Sequence, residues 1–178
     1  MGPKHTRDDI LRGALEFVRE NGIGELTFGR LAKHLGTSDR VIVYYFPNKE
    51  ILVGDVLGAV GLELQATLAG AFSAAATDHL ELLRTAWPLL ATDEADKVFS
   101  LFFEAAGMAA AGREPYEAIL PTMVEMWIDW TASFIDGPEP RARSEAEAAV
   151  ALIDGLLLLR QVGGPDPAAR AAETIGII

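Results

Sequence analysis

Between Asp39 and Phe46 the chain places an arginine, two valines and two tyrosines within six positions: Arg40, Val41, Val43, Tyr44 and Tyr45. None of these is a nucleophile or a metal ligand at useful spacing, so their chemistry is recognition. A guanidinium can bond bidentately to guanine, valine methyls can meet the thymine methyl, and a phenol can reach phosphate. Ile42 and Phe46 are one helical turn apart and form an inward face, which leaves Asp39, Arg40, Val43 and Tyr44 outward and Val41 and Tyr45 at the edges. Apolar and aromatic groups clustered on an exposed helix mark a binding surface. The competing reading is a helical hairpin that packs its aromatics into the core.

Other chemistries lack their residues. The histidines are His5, His34 and His79, each without a neighbouring His, Cys or paired acid at ligand spacing, and the sequence has no phosphate-binding loop and no nucleophile elbow. We therefore expect no enzyme, no cofactor and no metal. His34 reads as an exposed polar residue or a phosphate neighbour.

The elements that must carry the cluster are helical. Thr6-Arg7-Asp8-Asp9 has the form of a capping box, Ile10, Leu11, Ala14, Leu15 and Val18 recur at helical spacing, and Asn21-Gly22 ends the run. Thr27 caps a second helix with Phe28, Leu31, Ala32 and Leu35 as its stripe, closed by Gly36. Ser38 caps a short third helix, which stops at Phe46-Pro47 because proline disfavours helical geometry in the residue before it. Asn48 opens a long fourth helix through Ile51, Leu52, Val56, Leu57, Val60, Leu64 and Leu68 towards Phe72. Further helices are expected near 78–91, 94–111, 115–135 and 144–162, the last with Ser144-Glu145-Ala146-Glu147 as its capping box. No segment alternates apolar and polar residues, so the fold class is all-α.

A bracing helix followed by two short helices around a tight turn is the pattern of a helix-turn-helix. With "Thr27-Phe28-Gly29-Arg30-Leu31-Ala32", Gly36 before the turn, Ser38, "Tyr45-Phe46-Pro47-Asn48-Lys49-Glu50" and the spacing from Gly22, about the first 55 residues resemble the TetR family of bacterial transcriptional repressors. The resemblance implies a three-helix DNA-binding head over 1–48 and a ligand-binding and dimerisation body of about six helices over 49–178. By position it assigns Thr27 and Lys49 to phosphate at helix N-termini, and Arg40, Val41, Tyr44 and Tyr45 to the DNA side, with Val43 beside them. The sequence departs from the pattern where the family often has tyrosine at the place of Val43, histidine at Tyr45 and a small residue at Arg40. Tyr44 is then the substitute for the phosphate contact at 43.

Downstream, residues 115–135 are apolar on two faces, and 148–162 are apolar almost all round. A second copy is the economical cover. In TetR-like proteins the last two long helices of each subunit form a four-helix bundle across a two-fold axis, which implies Val124, Ile128, Leu152, Ile153, Leu156 and Leu157 at a homodimer interface. The resemblance also implies a cavity, for which Phe72, Trp87, Phe103, Glu104, Met108, Met123, Trp127 and Trp130 are the candidates. Glu104, isolated in "FSLFFEAAGMAAAG", is the acid least easily explained as solvated decoration, and Asp129 beside two tryptophans is the second. Either would suit a cationic or hydrogen-bond-donating aromatic ligand.

Charge is unevenly spread. The chain of 178 residues has net charge −11, yet residues 1–50 hold eight Lys/Arg against seven Asp/Glu, so the head is +1 and the rest −12. Such asymmetry lets the head approach a polyanion while the body stays away. The absence of cysteine, of a signal-like segment and of any uninterrupted apolar run of about 18 residues points to a cytoplasmic protein without a membrane partner. The expected function is a ligand-responsive transcriptional regulator of repressor type, binding a palindromic DNA operator as a dimer and released by a small apolar or aromatic effector. The alternative is an all-helical dimeric interaction or small-molecule-binding protein without operator binding.

Overall fold

The computed structural model describes residues 5–72 and 75–178, which form nine α-helices and, among the described residues, no named strand. The chain divides into two compact units. The first takes the N-terminal residues to Leu62 together with Leu101–Pro121, and the second takes Glu63–Ser100 with Thr122–Ile178.

The first unit starts with α1 (Arg7–Asn21), whose capping box is formed as expected: the Thr6 hydroxyl accepts from Asp9 N at 3.2 Å while Thr6 N donates to the Asp9 carboxylate at 3.0 Å. The Thr6 hydroxyl, which also donates to the Asp9 carboxylate at 2.7 Å, and then the Thr6 N–H hold that carboxyl below its ordinary range. The buried face of α1 is Ile10, Ala14, Phe17 and Val18. Gly13 lies in the same face because Leu35 packs where a side chain on that glycine would stand. Gly22, at φ 88°, ends the helix in a conformation that L side chains rarely adopt. Helix α2 (Phe28–His34) is capped by the Thr27 hydroxyl, which accepts from Arg30 N at 3.2 Å, and Gly36 at φ 64° turns the chain into α3 (Asp39–Tyr45). Ser38 stands at the N-cap position of α3 but its side chain makes no capping bond, a departure from the role read from the sequence. Helix α2 packs on both α1 and α3.

Helix α4 (Lys49–Ala69) begins at Asn48, whose side-chain oxygen accepts from Ile51 N at 2.8 Å. It is the one described helix long and apolar enough to cross a membrane by length and composition. Leu52, Val53, Val56, Leu57 and Val60 are instead buried by the protein itself. An ion pair between Arg7 and Asp55 joins the start of α1 to α4, and the same guanidinium lies 5.0 Å from the centre of the Phe46 ring.

The second unit contains α5 (His79–Leu90), the first part of α6 (Asp93–Ala110), most of α7 (Tyr116–Ala132), α8 (Glu139–Gly163) and α9 (Pro165–Thr174). Helix α8 packs on α5 and α9. An isolated bridge joins Ala76 to Ile135 through two backbone bonds of 2.8 Å, and Arg160 on α8 pairs with Asp93 and Asp96 in the first turn of α6.

Two expectations are corrected. Helix α8 begins at Glu139, not 144, because Pro140 falls in the first turn, where its missing N–H has no partner to lose. Ser144 is therefore interior and its hydroxyl donates to the Pro140 carbonyl at 3.1 Å rather than capping. Helix α9 occupies a stretch in which no element was expected; its buried residues are Ala168 and Ala172, and Pro165 and Pro167 stand in its first turn.

Candidate nucleic-acid interface and effector region

The six-residue cluster is displayed as its spacing demands. Ile42 and Phe46 are fully buried, whereas Arg40 and Val43 are exposed and Tyr44 is 78% exposed, more than any other large apolar or aromatic side chain described in the head. Val41 and Tyr45 are half-buried at the edges. The Tyr44 and Tyr45 rings meet edge to face, 4.8 Å apart and at 89°, so Tyr45 supports the ring that projects. The Tyr45 hydroxyl donates to the His5 carbonyl at 2.9 Å. That proton is engaged within the chain, which leaves Tyr44 as the tyrosine with the open hydroxyl side.

Around this face, Thr27 is exposed at the start of α2 with its oxygen on Arg30 N, and Arg30 is paired with Glu25. Lys49 is half-buried at the start of α4, its ammonium 5.6 Å from the centre of the Tyr116 ring. His34, exposed on α2, sets its ring edge to face against Phe17 at 5.5 Å.

The candidates for an effector site are divided between the two units. In the second unit Phe72, Trp130 and Phe134 form an aromatic cluster, with ring centres 4.9 Å apart for Phe72 to Phe134 and for Trp130 to Phe134, and Trp127 adds an edge-to-face contact on Trp130 at 5.2 Å. All four rings are half-buried. Trp87 and Met123, also in that unit, are buried as core. Phe103, Glu104 and Met108 belong to the first unit. Glu104 is not an orphan acid: its two oxygens accept from Ile23 N at 2.8 Å and Gly24 N at 3.0 Å, on the turn between α1 and α2. Met108 lies against the same turn, since a side chain on Gly24 would meet its sulfur at 3.6 Å. Asp129 is likewise engaged, by Arg143 at 2.7 Å.

Three residues that the sequence did not single out matter here. Tyr116, buried at 2% exposure, donates its hydroxyl to the Ile23 carbonyl at 3.0 Å; burial, with the nearby Glu104 charge, pushes its phenol up to about 12. Arg143 gathers Glu125, Asp129 and Glu147. Asp154 on α8 has a carboxyl that burial pushes up to about 6. An aspartate inside the most apolar run of the chain was the available signal for the last of these.

The candidate dimer face shifts around its helix. Leu157 is completely buried within the chain, Ile128, Ile153 and Leu156 are at most 9% exposed, and Val124 and Leu152 are half-buried. What α8 leaves open is Ala151, Gly155, Leu158, Leu159 and Val162, the last at 81% exposure. Nothing lies within 4 Å of the position a Gly155 side chain would take. Leu157, expected at an interface, has no exposed surface in the single chain; an all-round apolar helix carries no phase from which its outward face can be read.

Comparison with known proteins places this arrangement. Residues 10–56 match the family model for bacterial regulatory proteins of the tetR family, the stretch that holds α1 to α3 and the start of α4. No curated protein matches the chain. Among solved structures, a TetR-family transcriptional regulator from Rhodococcus sp. superposes with a TM-score of 0.72 at 17% identity over 97% of each chain. A transcriptional regulator from Streptomyces coelicolor A3(2) gives 0.70 at 24% over 95% of each. The multidrug binding protein EbrR, complexed with imidazole, gives 0.68 at 23% over 98% of this chain and 95% of that one. At these identities the likeness establishes the fold, and the matched head establishes the DNA-binding module on it. The head, residues 10–56, thus carries the match to the tetR-family model, and nearly the whole chain shares the fold of solved TetR-family transcriptional regulators.

Proposed function

We propose that the protein is a dimeric, ligand-responsive repressor whose α3 reads a palindromic operator in the major groove. The observation that carries this reading is the division of α3 into a fully buried pair, Ile42 and Phe46, and an open set of Arg40, Val43 and Tyr44. Arg40 reads a guanine, Val43 and Val41 meet thymine methyls, and Tyr44 reaches phosphate. Thr27 and Lys49 hold the flanking backbone, where the first turns of α2 and α4 offer unpaired N–H groups. Tyr45 contributes through the ring and carbon edge rather than through its engaged hydroxyl.

Two copies are needed to span two half-sites about 34 Å apart. The open stripe on α8 is the surface that supports pairing, because aliphatic side chains and an uncovered glycine suit close approach of a second helix. For the effector, the half-buried cluster of Phe72, Trp127, Trp130 and Phe134 suits a flat aromatic or apolar molecule. EbrR, similar in fold, is a multidrug binding protein, which favours the same class. Selection of bound duplexes from a random DNA pool tests the reading. Enrichment of an inverted repeat with half-sites one helical turn apart is expected; recovery of no preferred sequence would overturn it.

A further inference from the structure

The turn between α1 and α2 is held from outside itself at three backbone groups, by Glu104 and Tyr116. Leu26 N closes it on the Ile23 carbonyl at 3.2 Å, and the Tyr116 hydroxyl donates to that same carbonyl at 3.0 Å. The adjacent N–H groups of Ile23 and Gly24 both donate to the Glu104 carboxylate, one to each oxygen, at 2.8 and 3.0 Å. Ile23 and Leu26, the apolar side chains of the turn, are fully buried. A carboxylate that accepts two backbone N–H bonds makes charge-assisted bonds, about twice as strong as neutral ones.

The glycines are there for the carboxylate. A side chain on Gly22 would stand 2.8 Å from Glu104 Oε2, and one on Gly24 would stand 2.8 Å from Oε1, so a larger residue at either place would displace the carboxylate from its present position. Gly22 also requires its positive φ, but Gly24 has no such requirement, and its small size serves the approach alone. Three residues after Gly24 comes Thr27, the cap of α2, and α2 packs on α3. The direction in which α2 leaves the turn therefore fixes the attitude of the DNA-facing helix.

We infer that Glu104 and Tyr116 are positioning residues for DNA recognition, clamping the α1–α2 turn so that α3 presents its open face at the angle required for base reading. Glu104 is not among the proposed DNA contacts, and the Tyr116 ring meets them only at Lys49, 5.6 Å from its ammonium. They act through the turn, and the inference rests on the reading of α3 given above. The clamp also fixes the identity of its partner: a carboxylate of glutamate length on α6 and a phenol at the start of α7, against a turn that offers two donors and one acceptor.

The test uses Glu104→Gln, Tyr116→Phe and Gly24→Ala, the last leaving both clamp side chains intact while blocking the approach. Amide exchange at Ile23 and Gly24, followed by NMR on the full chain, is compared with affinity for the selected duplex and for a scrambled duplex of equal length. In Glu104→Gln and Gly24→Ala, exchange of the two amides should rise, and affinity for the selected duplex should fall, each about ten-fold, the loss of about one charge-assisted bond. Scrambled-duplex affinity should change less than about two-fold, because phosphate contacts do not depend on reading angle. Tyr116→Phe should give a smaller loss of the same pattern. Faster exchange with unchanged discrimination would overturn the clamp and leave the DNA reading standing. A wild-type protein that itself shows no discrimination would overturn both.

Discussion

Helices α3 and α8 both carry more apolar surface than their own chain covers, and the difference lies in what accompanies it. On α3 the open side chains alternate in chemistry: a guanidinium at Arg40, a branched aliphatic at Val43, and a ring with a hydroxyl at Tyr44. On α8 they are uniform, from Ala151 and Gly155 through Leu158 and Leu159 to Val162. A mixed face suits a partner that is part polyanion and part stacked base edge, whereas a uniform face with a gap at glycine suits another helix of the same kind. Amount of exposed apolar surface is thus a poor guide to partner; its polar company decides.

The comparison breaks most sharply at Val162. A charge there should remain hydrated in the single chain, since Val162 is 81% exposed, but should cost about 3–5 kcal/mol if the face closes on a second copy. Val162→Arg is expected to give a folded monomer by light scattering and circular dichroism at micromolar concentration. A dimer of unchanged strength would exclude this face from the interface. Leu157→Arg, by contrast, should unfold the chain rather than dissociate it, because its side chain has no exposed surface.

On the α3 side, Arg40→Ala should weaken binding to the selected sequence by about 1–3 kcal/mol and leave random duplex almost unaffected. Equal losses on both, measured by fluorescence anisotropy, would move Arg40 from base reading to phosphate contact.

A smaller effect separates the buried acid of α8 from the open aliphatics beside it. The Asp154 carboxyl, raised from 3.8 to about 6, binds its proton more tightly in the folded state, so its contribution is fully present below about pH 4 and is lost as pH rises through about 6. Asp154→Asn should therefore raise stability at pH 7, by about 1–2 kcal/mol, and do nothing at pH 3.5. Urea titrations at the two pH values check the sign; stabilisation only at the lower pH would contradict the burial of a charge. Smallest of all, Tyr44→Phe should weaken all duplexes alike by about 0.5–1.5 kcal/mol, the range for one hydrogen bond. A loss confined to the selected duplex would instead make the Tyr44 hydroxyl a base reader.

Legibility of the molecule followed side-chain size and capping chemistry. The capping box at Thr6 and Asp9, the cap at Thr27 and the stop at Phe46-Pro47 could be read because a polar cap or a proline acts on its immediate neighbours. The start of α8 was misplaced because Ser144 to Glu147 satisfies the same local pattern inside a helix. Helix α9, opened by two prolines and buried through alanines, went unread because its prolines resemble a loop and its apolar residues are small. Glu104 stood out as an acid in an apolar run, but its partners lie 80 and 81 residues earlier in the chain, and no local pattern names a partner at that distance. The pairing of Tyr116 with Ile23 was hidden for the same reason.

If the open α8 stripe pairs two copies and α3 binds DNA, as proposed, the cluster around Arg143 would give the two contacts opposite responses to ionic strength. One guanidinium faces Glu125, Asp129 and Glu147, so the site keeps a surplus of two negative charges, and Glu147 lies one helical turn before Ala151, at the edge of the open α8 stripe. Two copies meeting on that stripe would each bring this surplus towards the other, and added electrolyte would screen the repulsion. Protein–DNA contact responds in the other direction, since salt opposes counterion release. Between low and moderate electrolyte the pairing of subunits should tighten while the hold on DNA loosens, so the surrounding medium adjusts assembly and occupancy along separate axes.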